Sequence, residues 1–158
     1  MKRGITLNIN GRDHPVQVEP RRTLADAIRE DCGQTGTHTG CEHGVCGACT
    51  VLLEGEPVRS CLMFAVQADG RRLRTVEGLA HDGQLHPLQR AFIEHHGLQC
   101  GFCTPGFLML AAAALERDPA IGDAALLEVL SANLCRCTGY KNIVTAVRAA
   151  AGEMRIKK

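Results

Sequence analysis

A chain of 158 residues with a formal net charge of +1 carries no electrostatic footprint for a nucleic acid partner. Its apolar stretch from Phe107 to Leu115 stops well short of the about 20 residues that cross a bilayer, so no membrane span is expected. With no tryptophan, one tyrosine and four phenylalanines, the chain offers no stacking surface for single-stranded bases, and Leu, Val, Ile and Ala must build its core.

Met1 to Thr6 contains no apolar signal region, so the expected compartment is the reducing cytoplasm. Ile5, Leu7 and Ile9 alternate with polar residues, Asn10-Gly11 is a tight-turn signal, and Val16 and Val18 resume the alternation; together they predict a β-hairpin. Thr23-Leu24-Ala25-Asp26 resembles a capping box, opening a helix with Leu24, Ala25, Ile28 and Cys32 on its apolar side and an end at Gly33. After a glycine-rich loop, Ala48 to Leu53 and Pro57 to Cys61 read as strands around a Glu54-Gly55-Glu56 turn, with a further strand at Arg71 to Val76.

From about Leu79 the period becomes helical. Pro87 lies near a helix start, Leu88, Ala91 and Phe92 share a face, and Gly97 is the expected C-terminal cap. A second helix runs from Thr104-Pro105 to Glu116, where Asp118-Pro119 breaks it; Asp123 caps a third reaching Asn133, and a fourth spans Tyr140 to Ala151. The expected fold class is α+β: a β-rich domain over residues 1–78, then a small four-helix bundle over 79–158. Each half has fewer than about 80 residues, a size at which a metal centre is a common stabiliser.

Eight of the nine cysteines form two quartets: Cys41, Cys46, Cys49 and Cys61, then Cys100, Cys103, Cys135 and Cys137. Four residues separate the first two cysteines of the first quartet and two separate the next pair, with a distant fourth, which is the plant-type [2Fe-2S] spacing. Glycines beside and between these ligands let the backbone take positive φ and turn N–H groups towards sulfur. The second quartet consists of two clips, each falling in a turn between helices, so one end of the bundle is the expected seat. In an extended Cys135-Arg136-Cys137 segment, both sulfurs project to one side.

Paired four-cysteine clips also describe zinc ribbons, although zinc does not explain the glycine-rich loop and its ferredoxin spacing. Cys32 is the odd thiol, read as an apolar filler. Cys41-Glu42-His43 supplies only half of a Rieske pattern, leaving His43 as a loop residue. His95 and His96 close a helix, where a cation suits the C-terminal dipole. Phe102 reads as packing, Arg136 as a counter-charge or a solvated side chain, and Arg155 to Lys158 as a frayed, solvated tail.

The segments Gly36 to Val51, Gln99 to Gly106 and Asn133 to Tyr140 resemble the iron-sulfur subunit of the xanthine oxidase family of molybdenum hydroxylases. The likeness extends over nearly the whole chain, including the order of the quartets. It implies a β-grasp ferredoxin domain and a four-helix bundle, each with one [2Fe-2S] cluster. It further implies a large subunit holding molybdopterin in its cytosine dinucleotide form and a medium subunit holding FAD, assembled as a dimer of heterotrimers. In this family a heterocycle or aldehyde carbon is hydroxylated with oxygen from water. Electrons then pass through the C-terminal cluster, the N-terminal cluster and flavin in turn. No catalytic residue falls on this chain; Gln99 and Cys137 match the positions that contact the pterin. The competing readings are a free-standing two-cluster ferredoxin or redox sensor, and a zinc-stabilised interaction module.

Overall fold

The computed structural model describes residues 1–156; Lys157 and Lys158 lie outside the described residues. Strands β1 (Arg3–Ile9) and β2 (Arg12–Val18) pair antiparallel, with Ile5 opposite Val16. Asn10 and Gly11 both take positive φ, 54° and 79°, as a hairpin turn of the right twist requires. Strands β3 (Thr50–Leu53), β4 (Glu56–Arg59) and β5 (Arg72–Arg74) complete a sheet of order β2-β1-β5-β3-β4, in which only β1 and β5 run parallel.

Helix α1 (Leu24–Asp26) opens on Thr23, whose hydroxyl accepts the Asp26 N–H at 3.1 Å, as the sequence predicts. It then differs from the expected helix. Ala27–Asp31 is a π turn, closed by the Cys32 N–H on the Ala27 carbonyl at 2.9 Å. The wider turn leaves Leu24, Ala27 and Ile28 on the sheet, against Ile5, Leu7, Ile9, Val51 and Leu53, with Cys32 partly buried at their edge. This mixed sheet carrying one short helix is the expected β-grasp domain.

Strand β3 does not alternate: Thr50, Val51, Leu52 and Leu53 are all buried, because both faces of the sheet are covered at this strand. Val51 and Leu53 join the β-grasp core, whereas Leu52 joins the helical core on the opposite face. Leu52→Ala is therefore expected to cost about 2–5 kcal/mol, read as a lowered urea midpoint, by opening a cavity between the domains. An unchanged midpoint would show that the two cores are not joined through this side chain.

The second domain comprises α2 (Pro87–Glu94), α3 (Thr104–Arg117), α4 (Asp123–Leu130) and α5 (Lys141–Ile156). Helix α3 is its axis, with Gly106 to Ala113 buried continuously and Phe107, Met109 and Leu115 packed among Phe92, Ile143 and Val147. Arg74 pairs with Glu116, and Arg117 with Glu56, tying α3 to the sheet.

Several helix ends fall elsewhere than predicted. After α2 the left-handed residue is His96, φ 51°, with N–H bonds from His96 to Ile93 and from Gly97 to Phe92. Gly97 is needed one position later because a Cβ there would lie 3.0 Å from the Phe92 ring. Gly122, not Asp123, is the N-cap of α4; the Asp123 carboxylate is instead held by Arg148, which keeps it below its usual range. Helix α4 ends at Leu130 rather than Asn133, and α5 continues past Ala151 to Ile156. Arg155 is not frayed, since its guanidinium donates to the carbonyls of Pro119 and Ile121 at 2.6 and 2.8 Å.

Candidate metal centres

The first cysteine loop is set by local backbone geometry. Gly44 and Gly47 take φ of 83° and 76°, and Glu42 joins them in the left-handed region at 55°. The turn brings the Cys46 N–H to 3.3 Å from the Cys41 sulfur. That N–H, followed by the His43 N–H, pulls the Cys41 thiol down to about 6. These donors are poised for a thiolate ligand.

The sheet delivers the fourth cysteine. At the end of β4, Ser60 binds the Cys49 carbonyl through its hydroxyl at 2.7 Å, which sets Cys61 beside Cys49. Burial, then the hydrogen bond to Cys49, pushes the Cys61 thiol up to about 11. His43 is exposed, its ring nitrogen turned to the Cys41 carbonyl, and it is not placed as a ligand.

At the end of the bundle next to the first loop, the second quartet pairs between clips rather than within them. Cys137 lies 3.5 Å from Cys100, and Cys103 donates to Cys135. The two cysteines of the second clip differ in exposure: Cys135 is buried and Cys137 exposed. The Thr138 N–H and hydroxyl turn onto the Cys135 sulfur at 3.4 and 3.1 Å, while the Cys135 N–H donates to the Tyr140 hydroxyl. Burial pushes Cys103 up to about 12; at Cys135 it acts the same way, but the Thr138 bonds prevail and the thiol falls below its ordinary value.

Each quartet is thus two sulfur pairs: Cys41 with Cys46 and Cys49 with Cys61; Cys100 with Cys137 and Cys103 with Cys135. A binuclear core takes two thiolates per iron, and the paired arrangement fits it. Among the described residues, Thr104 Oγ1 and Asn133 Nδ2 are the buried side-chain atoms without a partner, and both flank the second quartet in sequence. Unspent donors beside thiolate ligands suit a group that presents sulfur acceptors.

The two loops touch. The Leu134 N–H donates to the Cys46 carbonyl at 2.8 Å, and a Cβ on Gly106 would lie 2.3 Å from the Gly47 oxygen. Phe102, expected as packing, is 46% exposed and stacks on His38 with ring centroids 4.9 Å apart. Gln99, Cys100, Arg136 and Cys137 all lie at the exposed edge. Sequence reasoning missed Arg59, Asn133 and His38: each bridges the two domains, and no spacing signal marks a partner more than sixty residues away.

Comparison with known proteins agrees with this architecture. Residues 7–80 match the family described as "2Fe-2S iron-sulfur cluster binding domain", and residues 75–148 match "[2Fe-2S] binding domain". The chain is similar to the caffeine dehydrogenase subunit gamma of Pseudomonas sp. (strain CBB1), at 54% identity over 98% of this chain and 94% of the relative. It is 57% identical to the nicotine 6-hydroxylase small subunit of Paenarthrobacter nicotinovorans, over 95% of this chain and 90% of the relative. The fold superposes on a chain of quinoline 2-oxidoreductase from Pseudomonas putida 86 with a TM-score of 0.93 and 50% identity, covering 98% of this chain and 97% of that one. With two [2Fe-2S]-binding domains in the same order, the chain belongs to the iron-sulfur small subunits of the xanthine oxidase family of molybdenum hydroxylases.

Proposed function

We propose that this chain binds one [2Fe-2S] cluster on Cys41, Cys46, Cys49 and Cys61, and another on Cys100, Cys103, Cys135 and Cys137. In this role it is the electron-transfer subunit of an oxidoreductase whose substrate chemistry resides on a partner. The observation that carries this reading is the Leu134 N–H to Cys46 carbonyl bond, which joins a ligand of one quartet to the neighbour of a ligand of the other. Bound there, each cluster supplies a one-electron carrier. The chain's own residues fix the separation of the two sites, point N–H groups at sulfur and bury the inner cysteines away from water.

The domain division falls after Gly78, at the end of the short turn Val76–Gly78, giving residues 1–78 and 79–158. A large subunit with molybdopterin in its cytosine dinucleotide form meets the second quartet at its open edge. The exposure of Gln99, Cys100 and Cys137 supports this, since a side-chain amide and a sulfur there can contact a pterin. A medium, FAD-bearing subunit meets the first loop, where Val45 and Leu62 are 56% and 61% exposed. The assembly is a dimer of such heterotrimers in the reducing cytoplasm, a setting that suits nine free cysteines. A free-standing ferredoxin accounts less well for the similarity to chains named as subunits over nearly their full length.

Elemental analysis of the chain, gently purified from its host with its companions, tests the reading. About four irons per molybdenum are expected for two [2Fe-2S] clusters in such a complex. Iron without molybdenum would favour the free carrier, and zinc in place of iron would overturn the redox assignment.

A further inference from the structure

We propose that Arg59 is a positioning residue for electron transfer, clamping the loop that carries Cys135 onto the strand that delivers Cys61. The inference rests on both quartets holding clusters. Arg59 ends β4, two residues before Cys61. One guanidinium nitrogen donates to the Thr50 hydroxyl and, at 2.8 Å, to Asn133 Oδ1; the other donates to the Ala132 carbonyl at 2.6 Å.

These contacts form a continuous seam. Ala132 is held through its carbonyl, Asn133 through its side chain, and Leu134 through its N–H to Cys46; the next residue is Cys135. Asn133 is only 1% exposed and lies so close to Gly47 that a Cβ there would sit 1.9 Å from its oxygen. The amide is therefore wedged against the first loop, and Arg59 holds the same oxygen, its own nitrogen lying 2.9 Å from where that Cβ would be. A planar guanidinium reaches three acceptors in fixed directions, which a lysine ammonium cannot reproduce. The Arg59 side chain donates to oxygens of the seam, on Thr50, Asn133 and Ala132, so it acts on the sites through the spacing of the loops.

Spacing has its own readout, because dipolar coupling between two paramagnetic centres falls with the cube of their distance. In the fully reduced holo-complex, low-temperature electron paramagnetic resonance is expected to show splitting between the two clusters. Arg59→Met should retain wild-type iron and both signals but lose splitting; Arg59→Lys should restore part of it. Asn133→Ala, which removes the same bond from the opposite side, should reproduce the loss.

Wild-type splitting in an iron-replete Arg59→Met protein would overturn the proposal. If that variant sheds iron, Asn133→Ala decides: unchanged splitting overturns the clamp, and iron loss from both variants overturns it too, because Arg59 would then be a folding element. Failure of the underlying reading looks different, since the wild-type complex itself would then lack two cluster signals.

Discussion

Replacing Cys49 with alanine is expected to remove about half of the iron, leaving about two atoms per chain on the second quartet. Cys49 is 2% exposed, paired with Cys61 and packed on Ala25, so it belongs to the inner pair of the first site. Water or buffer has poor access to that position, and the iron left with a single protein thiolate has no replacement ligand. The second quartet is seated on other elements, α3 and the turn before α5, and should keep its absorption and paramagnetic signals. Under the proposed assembly with an FAD-bearing subunit, flavin reduction by substrate should cease while reduction at the substrate site persists. The β-grasp half should also lose stability, because metal binding to a site absent from the unfolded chain is folding free energy. Wild-type iron content in the Cys49→Ala protein would remove Cys49 from the ligand set.

The second large effect concerns the contact between the domains. At Gly106 an alanine Cβ would lie 2.3 Å from the Gly47 oxygen and 3.1 Å from Ala48 Cα, both backbone atoms that no rotamer change can move. Two terms compete. Alanine is favoured over glycine within a helix by at most about 1 kcal/mol, while overpacking against a rigid backbone costs about 1–3 kcal/mol. The clash is expected to win. Gly47 O accepts from both the N–H and the hydroxyl of Thr50, and Cys46 next to it holds Leu134, so displacement spreads through both cysteine loops.

Gly106→Ala should therefore lower the denaturation midpoint and weaken cluster retention. Gly152→Ala is the matched comparison. Gly152 lies within α5 with nothing inside 4 Å of its would-be Cβ, so the same substitution should stabilise by about 0.5–1 kcal/mol. Equal effects at the two positions would show that the contact between α3 and the first loop is not tight in solution.

How much could be read beforehand depended on how local the cause was. The Asn10-Gly11 hairpin, the Thr23 cap and the Pro87 helix start are each decided within a few residues, and each is found in place. The π turn at Ala27–Asp31 was not legible, because apolar residues at helical spacing do not separate an i+4 from an i+5 bond. Nor was the shortened end of α4, where Arg59 takes Asn133 from across the molecule.

The cysteine quartets show the same division. Which residues gather at each site follows from the sequence, since spacing limits which thiols a short loop can bring together. How they pair does not: Cys100 meets Cys137 and Cys103 meets Cys135 because α3 and α5 set the clips across from each other, and Thr138 turns Cys135 inward. The chain's chemistry was determined by the sequence alone, through eight cysteines and the glycines among them. The distance between the two sites was decided by tertiary structure, because it depends on Gly47 against Gly106, Leu134 on Cys46 and Arg59 on Asn133, contacts between residues far apart in the chain.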